Sequence, residues 1–303
     1  MTTKVGLLTT DKAILRGQDR DTGRLTEALG RAGLEVDAPI WHDEAVDWLA
    51  YDLLVIRTPW DYSERYGEFM TWLNRVSPDT RILNAPELIR WNIDKQYLTD
   101  LEARGVPIIP TAFCDSLSAT SAAVEDAGAR DVVIKPSISA GSRDTGLFPS
   151  GDTAILHLAE RIIAAGKTVL VQPAIESITT GGENALFYFN GHYSYAFHKK
   201  PILALGGGYV GGDRRPQISR ANPSSDEISL GQLVIDSISH IAAQRSFAED
   251  AMLPLYARVD MSSEMGVRPQ VLEVEVFEPA YFIDIAPEAV EIFVRSVKDR
   301  LRV

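Results

Sequence analysis

The chain has 303 residues, 45% of them hydrophobic and 24% charged, which supplies enough apolar material for a sizeable core and excludes disorder as the main state. Its length suits about two domains or one large composite. The formal net charge of −12 argues against a surface built to coat DNA or RNA, while leaving nucleotides open, since local donors and metal ions bind those. Cys114 is the only cysteine, so an intrachain disulfide and a cysteine zinc cluster are excluded, and a lone thiol of this kind fits the core and a reducing compartment. No apolar run approaches the roughly 20 residues of a membrane helix, and the first residues lack the apolar stretch of a signal peptide. The expectation is a soluble, cytoplasmic protein.

In chain order, residues 5–8 form a short apolar strand. Leu25, Ala28, Leu29 and Ala32 recur at helical spacing, and Gly33 ends that helix. A second strand runs over 53–56 and breaks at Arg57-Thr58-Pro59-Trp60-Asp61-Tyr62, where Pro59 cannot continue a ladder. A helix over 63–76 and a strand at 82–83 follow. This βαβ order implies parallel strands covered by helices, with ligand-contacting groups just beyond the strand C-termini. The periodicity predicts a helix over 86–104, an extended piece over 108–113, a helix near 120–126, a strand over 132–135, a helix over 155–163 and a strand over 169–172. The order then changes. Strands over 186–189 and 193–197 flank Asn190-Gly191, the dipeptide of a type I′ hairpin. Residues 206–212 are glycine-rich, a helix covers 230–241, two strands cover 255–261 and 271–277, and an amphipathic helix covers 290–301.

The last two strands hold the sharpest chemistry. Glu273 and Glu275 are two apart and share one strand face, while Leu272, Val274 and Val276 share the other. A solvated strand would show the same alternation. If Asp260 instead pairs opposite Glu273, three carboxylates converge, and their repulsion calls for a cation. Oxygen-only ligation suits Mg²⁺ bound with substrate phosphates, and two such ions are expected, with Mn²⁺ as a substitute. Lys135 ends an apolar strand and leads into the loop SISAGSRDTG at 137–146, whose Ser137, Ser139, Gly141 and Ser142 suit a phosphate cradle. Lys95 is a second candidate phosphate ligand, although each lysine by itself reads as a surface residue. Gln172-Pro173-Ala174-Ile175 has the form of an adenine hinge: Pro173 gives a carbonyl without needing an N–H, and Ile175 gives an N–H. Glu183 follows as a candidate ribose ligand.

These pieces together resemble the ATP-grasp ligases. VVIKP, SISAGS, VQPAIES with GGE, YARVD and VLEVEVFEP occur in that order between residues 95 and 279. The resemblance implies an α/β (α+β) ATP-grasp fold. Its parts would be an N-terminal Rossmann-like parallel-sheet domain over 1–90, a small central lid over 91–175, and a C-terminal antiparallel-sheet domain with the metal site over 176–303. It also implies that Lys95 and Lys135 bind phosphates, that residues 172–175 and Glu183 hold the nucleoside, and that Arg258 stabilises the transferring phosphoryl group. Asp260, Glu273 and Glu275 would hold magnesium. Many members of the family carry Asn where this chain has Glu275. RTPWDY, NAPELIRWNIDKQYLTDL and LEVEVFEP further resemble a bacterial subgroup of these ligases that contains an enzyme closing O-ureido-D-serine to D-cycloserine.

The implied reaction moves the γ-phosphate of ATP to a substrate carboxylate, after which a nitrogen nucleophile captures the acyl phosphate. The expected partners are ATP and a small amino-acid-like carboxylate, without nucleic acid or membrane, and homo-oligomerisation is left open. Arg57, Thr58, Trp60, Asp61, Lys199, Arg214 and Arg215 are the candidate substrate contacts. Arg57 could equally form a structural salt bridge, and Trp60 and Tyr62 could be packing residues. The stretch GGGYVGGDRR could be a lid over the acceptor or a plain loop. The five histidines show no metal-ligand spacing. Two alternatives to intramolecular ring closure are an intermolecular carboxylate–amine ligase, peptide-forming or glutathione-synthetase-like, and a catalytically silent ATP-binding regulator. A Rossmann dehydrogenase is weak, because Gly6 is followed by Leu7-Leu8-Thr9-Thr10 and no G-x-G-x-x-G.

Overall fold

The computed structural model describes residues 2–175, 177–207, 217–262, 266 and 268–302. Three sheets make up the fold. The first contains β1 (Lys4–Thr9), β2 (Glu35–Asp37), β3 (Leu53–Thr58) and β4 (Ile82–Leu83) in the order β2-β1-β3-β4, all parallel. Helices α1 (Ala13–Arg16), α2 (Thr22–Arg31) and α3 (Tyr66–Val76) alternate with its strands. Both faces of β3 are covered, which is why its residues form a continuous buried run rather than an alternating one. The expected helix over 63–76 starts three residues later, because residues 59–65 are held in hydrogen-bonded turns such as Tyr62 N to Pro59 O, 2.8 Å.

The second sheet is antiparallel: β5 (Ala112–Cys114), β6 (Asp131–Pro136), β7 (Gly146–Pro149) and β8 (Val169–Pro173), in the order β5-β8-β6-β7. Helices α6 (Leu117–Asp126) and α7 (Ala154–Ala164) cover it, and Cys114, Ile134, Val171, Ile155 and Leu158 share its separate core. Ser116 starts α6 by accepting the Ala119 N–H through its hydroxyl.

The third sheet is also antiparallel: β9 (Glu183–Phe189), β10 (His192–Lys199), β11 (Ile218–Arg220), β12 (Tyr256–Ser262) and β13 (Val271–Glu275), in the order β11-β10-β9-β12-β13. Asn190 and Gly191 take φ values of 45° and 78°, as the two-residue hairpin between β9 and β10 requires. Helix α8 (Ser225–Gln244) begins with a capping box between Ser224 and Glu227, and α9 (Glu288–Leu301) closes the chain.

Two details of packing position the site. The stretch expected as one helix over 86–104 is two, α4 (Pro86–Asn92) and α5 (Tyr97–Ala103). The Asp94 carboxylate accepts the Gln96 N–H at 2.9 Å, a local bond that competes with the helix and leaves Lys95 in the break. Residues 91–109, grouped by sequence with the second sheet, also bond the third. Asn92 donates to Val274 O (2.8 Å) and accepts from Val276 N (3.1 Å), and Ile109 N donates to Val271 O (3.1 Å). Asn84, at the end of β4, is fully buried and bonds Tyr256 O, Val276 O and Leu255 N, which fixes the first sheet against β12 and the exit of β13.

Candidate active site

The antiparallel register sets Asp260 opposite Glu273 and Arg258 opposite Glu275. These four side chains share one face, because residues two apart on a strand point the same way, while Val259, Met261 and Val274 lie in the core beneath. Arg258 forks onto Asp260 (Nε to Oδ1 2.8 Å, Nη2 to Oδ2 2.9 Å) and also reaches Glu275 Oε1 at 2.5 Å. Lys199, from β10, bridges Asp260 Oδ2 (2.7 Å) and Glu183 Oε1 (2.5 Å). Lys95 bonds Glu273 Oε1 (2.9 Å) and Ser139 O (3.2 Å).

The electrostatics follow from this geometry. Burial pushes Asp260 up, but Arg258 and Lys199 outweigh it and hold the carboxyl below its ordinary range. Burial likewise opposes ionisation of Glu273, and Lys95 and Lys135 reverse that. Glu275 lacks this support: burial, with Glu273 and Asp260 nearby, pushes it up to about 7 despite Arg258. Lys135 sits near Glu273, Lys95, Glu183 and Asp260, and burial, helped by Lys95, lowers its ammonium pKa. Among the described residues it forms no ion pair.

The donor set fits a hard divalent cation. Glu273 and Glu275 are 30% and 20% exposed, and each commits one oxygen to a cation while the other makes no hydrogen bond among the described residues. Asp260 uses both oxygens, yet a carboxylate has about four lone-pair sites and keeps acceptor capacity. The loop at 137–146, the expected phosphate cradle, contains two successive left-handed residues. Gly141 and Ser142 take left-handed φ values of 61° and 53°. Lys95 N donates to Ser137 O (2.9 Å), and the Ser137 hydroxyl donates to Asp94 (3.2 Å).

Gln172 and Pro173 end β8, which runs antiparallel beside β6. Gln172 is buried, with its amide donating to Thr111 Oγ1 (2.8 Å) and its Oε1 without a partner among the described residues. Ile175 is half-buried just beyond. Glu183 starts β9 and is engaged by Lys199.

The N-terminal candidates fall differently. Arg57 is fully buried: its guanidinium lies 3.6 Å from the Tyr281 ring centroid and donates to Pro279 O (2.9 Å), with Asp21 at 4.0 Å. Its place is inside the protein, so the expected carboxylate clamp is replaced by a structural cation. Thr58 is buried between Thr9 and Asp19 (2.9 Å to each). Asp61 is buried and accepts from Trp41 Nε1 (2.9 Å). Trp60 donates to Glu278 O (2.9 Å). Lys199, expected at the substrate, belongs to the carboxylate cluster. Arg214 and Arg215, with most of the GGGYVGGDRR stretch, lie outside the described residues. His42 is the histidine with acidic company: its ligand atom and those of Asp11 and Asp61 lie within 4.8 Å of one another, but His42 already bonds Asp11 (3.1 Å) and Asp61 holds Trp41.

Sequence reasoning missed Glu278, Asn92 and Tyr97, and weighed Tyr62 with Trp60 as a packing residue. Tyr97 accepts from Val274 N (2.7 Å) and, like Asn92, fixes β13. Glu278 is buried, with one oxygen on the Tyr62 hydroxyl (2.5 Å) and the other without a partner among the described residues. The one sequence signal was a third glutamate at the end of VLEVEVFEP.

Comparison with known proteins gives the class first. A RimK-domain ATP-grasp protein from Sphaerobacter thermophilus superposes with a TM-score of 0.66 at 16% identity, over 98% of both chains. A D-alanine–D-alanine ligase from Bacillus anthracis, complexed with ATP, does so with a TM-score of 0.67 at 14% identity, over 99% of both. The fold is that of the ATP-grasp ligases. A family profile described as D-cycloserine synthetase DcsG, N-terminal domain, matches residues 5–84. The cycloserine biosynthesis protein DcsG of Streptomyces lavendulae is 33% identical over 293 residues, which covers 94% of this chain and 95% of that protein. A crystal structure of D-cycloserine synthetase DcsG superposes with a TM-score of 0.88 at 30% identity, over 98% of this chain and 99% of that one. Within the ATP-grasp ligases, the chain belongs to the DcsG family.

Proposed function

We propose that this protein is an ADP-forming ligase that closes O-ureido-D-serine to D-cycloserine. The observation that carries the ligase chemistry is the facing pair Asp260–Glu273, flanked by Arg258 and Glu275 and met by Lys95 and Lys135. The ring-closing reading is supported by similarity to DcsG along nearly the whole chain.

In this reading Lys95, Lys135 and the loop residues Ser137, Ser139, Gly141 and Ser142 hold the phosphates of ATP. Residues 172–175 hold adenine, and Glu183 holds the ribose. Glu273 and Glu275, with Asp260, would hold two Mg²⁺ ions or Mn²⁺ in their place, and such ions neutralise charge on the phosphate oxygens. Arg258, fixed by Asp260, presents a permanent positive charge where the γ-phosphoryl group passes from ADP to the substrate carboxylate. The ureido nitrogen bonded to oxygen then attacks the acyl carbon, its C–N bond forms and phosphate leaves. The attack is intramolecular, which removes the entropic cost of a second substrate. Hydrolysis of the carbamoyl group to CO₂ and ammonia completes the product. No side chain forms a covalent intermediate. No described helix is long and apolar enough to cross a membrane. A cytoplasmic enzyme with small-molecule partners, acting without nucleic acid, completes the proposal.

The test is an ADP-release screen over O-ureido-D-serine, its L-enantiomer and common amino acids, with products read by mass spectrometry. ADP and phosphate with O-ureido-D-serine and no second amino component are expected. AMP and pyrophosphate would sink the ADP-forming chemistry. Turnover that requires a second amino component would replace ring closure by intermolecular ligation.

A further inference from the structure

Residues 57–64 bond both halves of the cleft. Towards the metal strand, Trp60 Nε1 donates to Glu278 O (2.9 Å), Arg57 to Pro279 O (2.9 Å), and the Tyr62 hydroxyl to Glu278 Oε1 (2.5 Å). Towards the phosphate loop, Tyr62 also reaches Ser139 O (3.4 Å), and Lys167 Nζ donates to both Ser63 O (2.9 Å) and Ile138 O (2.8 Å). Glu64 pairs with Arg143 at 2.6 Å. Ser139 O is also bonded by Lys95, whose Nζ holds Glu273. A closed circuit results: Glu278, Tyr62, Ser139, Lys95, Glu273, and back along the chain to Glu278.

The members of this circuit differ in what they can transmit. The Glu64–Arg143 pair is 30% and 40% exposed, and exposed pairs are weak and screened. Tyr62 and Glu278 are 2% and 7% exposed and their bond is short. A buried carboxyl with one oxygen unpartnered is costly to keep, so a well-packed apolar residue would serve stability better. The contacts of both groups among the described residues are with the protein: Glu278 Oε1 with the Tyr62 hydroxyl, and that hydroxyl with Ser139 O.

We propose that Tyr62 and Glu278 are a positioning pair that holds the phosphate loop at Ser139, and through it Lys95, in register with Glu273 and Glu275. The inference rests on the ligase reading for its catalytic consequence, since a displacement of about 1 Å at such a site costs up to about 100-fold in rate.

The test uses Tyr62→Phe, Glu278→Ala, Glu278→Gln and the Tyr62→Phe/Glu278→Ala double variant of the full chain. Glutamine keeps a carbonyl acceptor for the tyrosine hydroxyl. Tyr62→Phe and Glu278→Ala are expected to lower kcat about tenfold or more, the double variant no further than Glu278→Ala, and Glu278→Gln to stay within about twofold of wild type. Amide exchange over residues 137–146 is expected to quicken in Tyr62→Phe and Glu278→Ala and not in Glu278→Gln. A fall in Tm with unchanged kcat and unchanged loop exchange would reduce the pair to a structural contact and overturn the proposal. So would a loss in Glu278→Gln equal to that in Glu278→Ala, which would make the charge the active feature. If Glu278→Ala does not fold, Tyr62→Phe alone carries the test. Inactive wild type would count against the ligase reading, while the exchange comparison would still decide the pair.

Discussion

At β12 and β13, Asp260, Glu273 and Glu275 crowd one strand face with Arg258, Lys95 and Lys199, and one carboxylate oxygen each of Glu273 and Glu275 makes no hydrogen bond among the described residues. At the end of β3 the polar groups turn to the protein instead: Arg57 Nη2 to Pro279 O, with the guanidinium over the Tyr281 ring and its Nε and Nη1 without a partner among the described residues, Thr58 to Asp19, Asp61 to Trp41. Both regions bury charge next to the same cleft. The first keeps carboxylate oxygens that can accept a cation. The second uses its polar groups as fixed struts that hold the first sheet against the loop at 278–281. Burial of charge is therefore a poor guide to function in this molecule, and uncommitted oxygens that solvent reaches, as on Glu273 and Glu275, are the better one.

Substitutions should separate the two regions. The largest effect is expected from Glu273→Gln, which should lower Mg²⁺-dependent ADP release about 10²–10³-fold with the fold intact by circular dichroism. Near-wild-type kinetics would remove Glu273 from the metal role. Lys135→Ala should weaken ATP binding as well as slow turnover, each by about tenfold or more, and an unchanged ATP affinity in calorimetry would break the assignment. Arg57→Ala should do the reverse, costing about 3 kcal/mol of stability by leaving Asp21 buried without its cation, read as a lower urea midpoint. Glu275→Asn keeps an oxygen ligand and removes one of the crowded charges. It should raise the Mg²⁺ concentration for half-maximal rate by about tenfold while shifting the urea midpoint upward. The smallest effect concerns Cys114, whose thiol is buried and pushed up by that burial. Maleimide labelling at pH 8 should be slow in the folded protein and quicken as pH rises, and fast labelling at pH 8 would contradict that burial.

Much of the first region was legible. The alternation in LEVEV placed Glu273 and Glu275 on one face, and the strand pairing that joins them to Asp260 is the simplest one for two neighbouring strands. Lys135 could be placed because it ends an apolar run before a small-residue loop. The pairing of Lys199 with Glu183 and Asp260 was not legible because it depends on the register of β10 against β9, which puts Lys199 opposite Glu183. Arg57 looked like a clamp because a residue leaving a parallel strand commonly faces a ligand. The covering loop at 279–281 comes from more than 200 residues later, and local pattern does not reveal it. Asn92 and Tyr97 gave no signal for the same reason: their partners are backbone atoms of β13.

The most direct measurement is electron paramagnetic resonance of Mn²⁺ titrated into the protein with a non-hydrolysable ATP analogue. Wild type should bind the metal together with the nucleotide, and a Glu273→Gln/Glu275→Gln variant should lose that bound signal. Equal binding in both would contradict the placement of the metal and of the phosphates it accompanies.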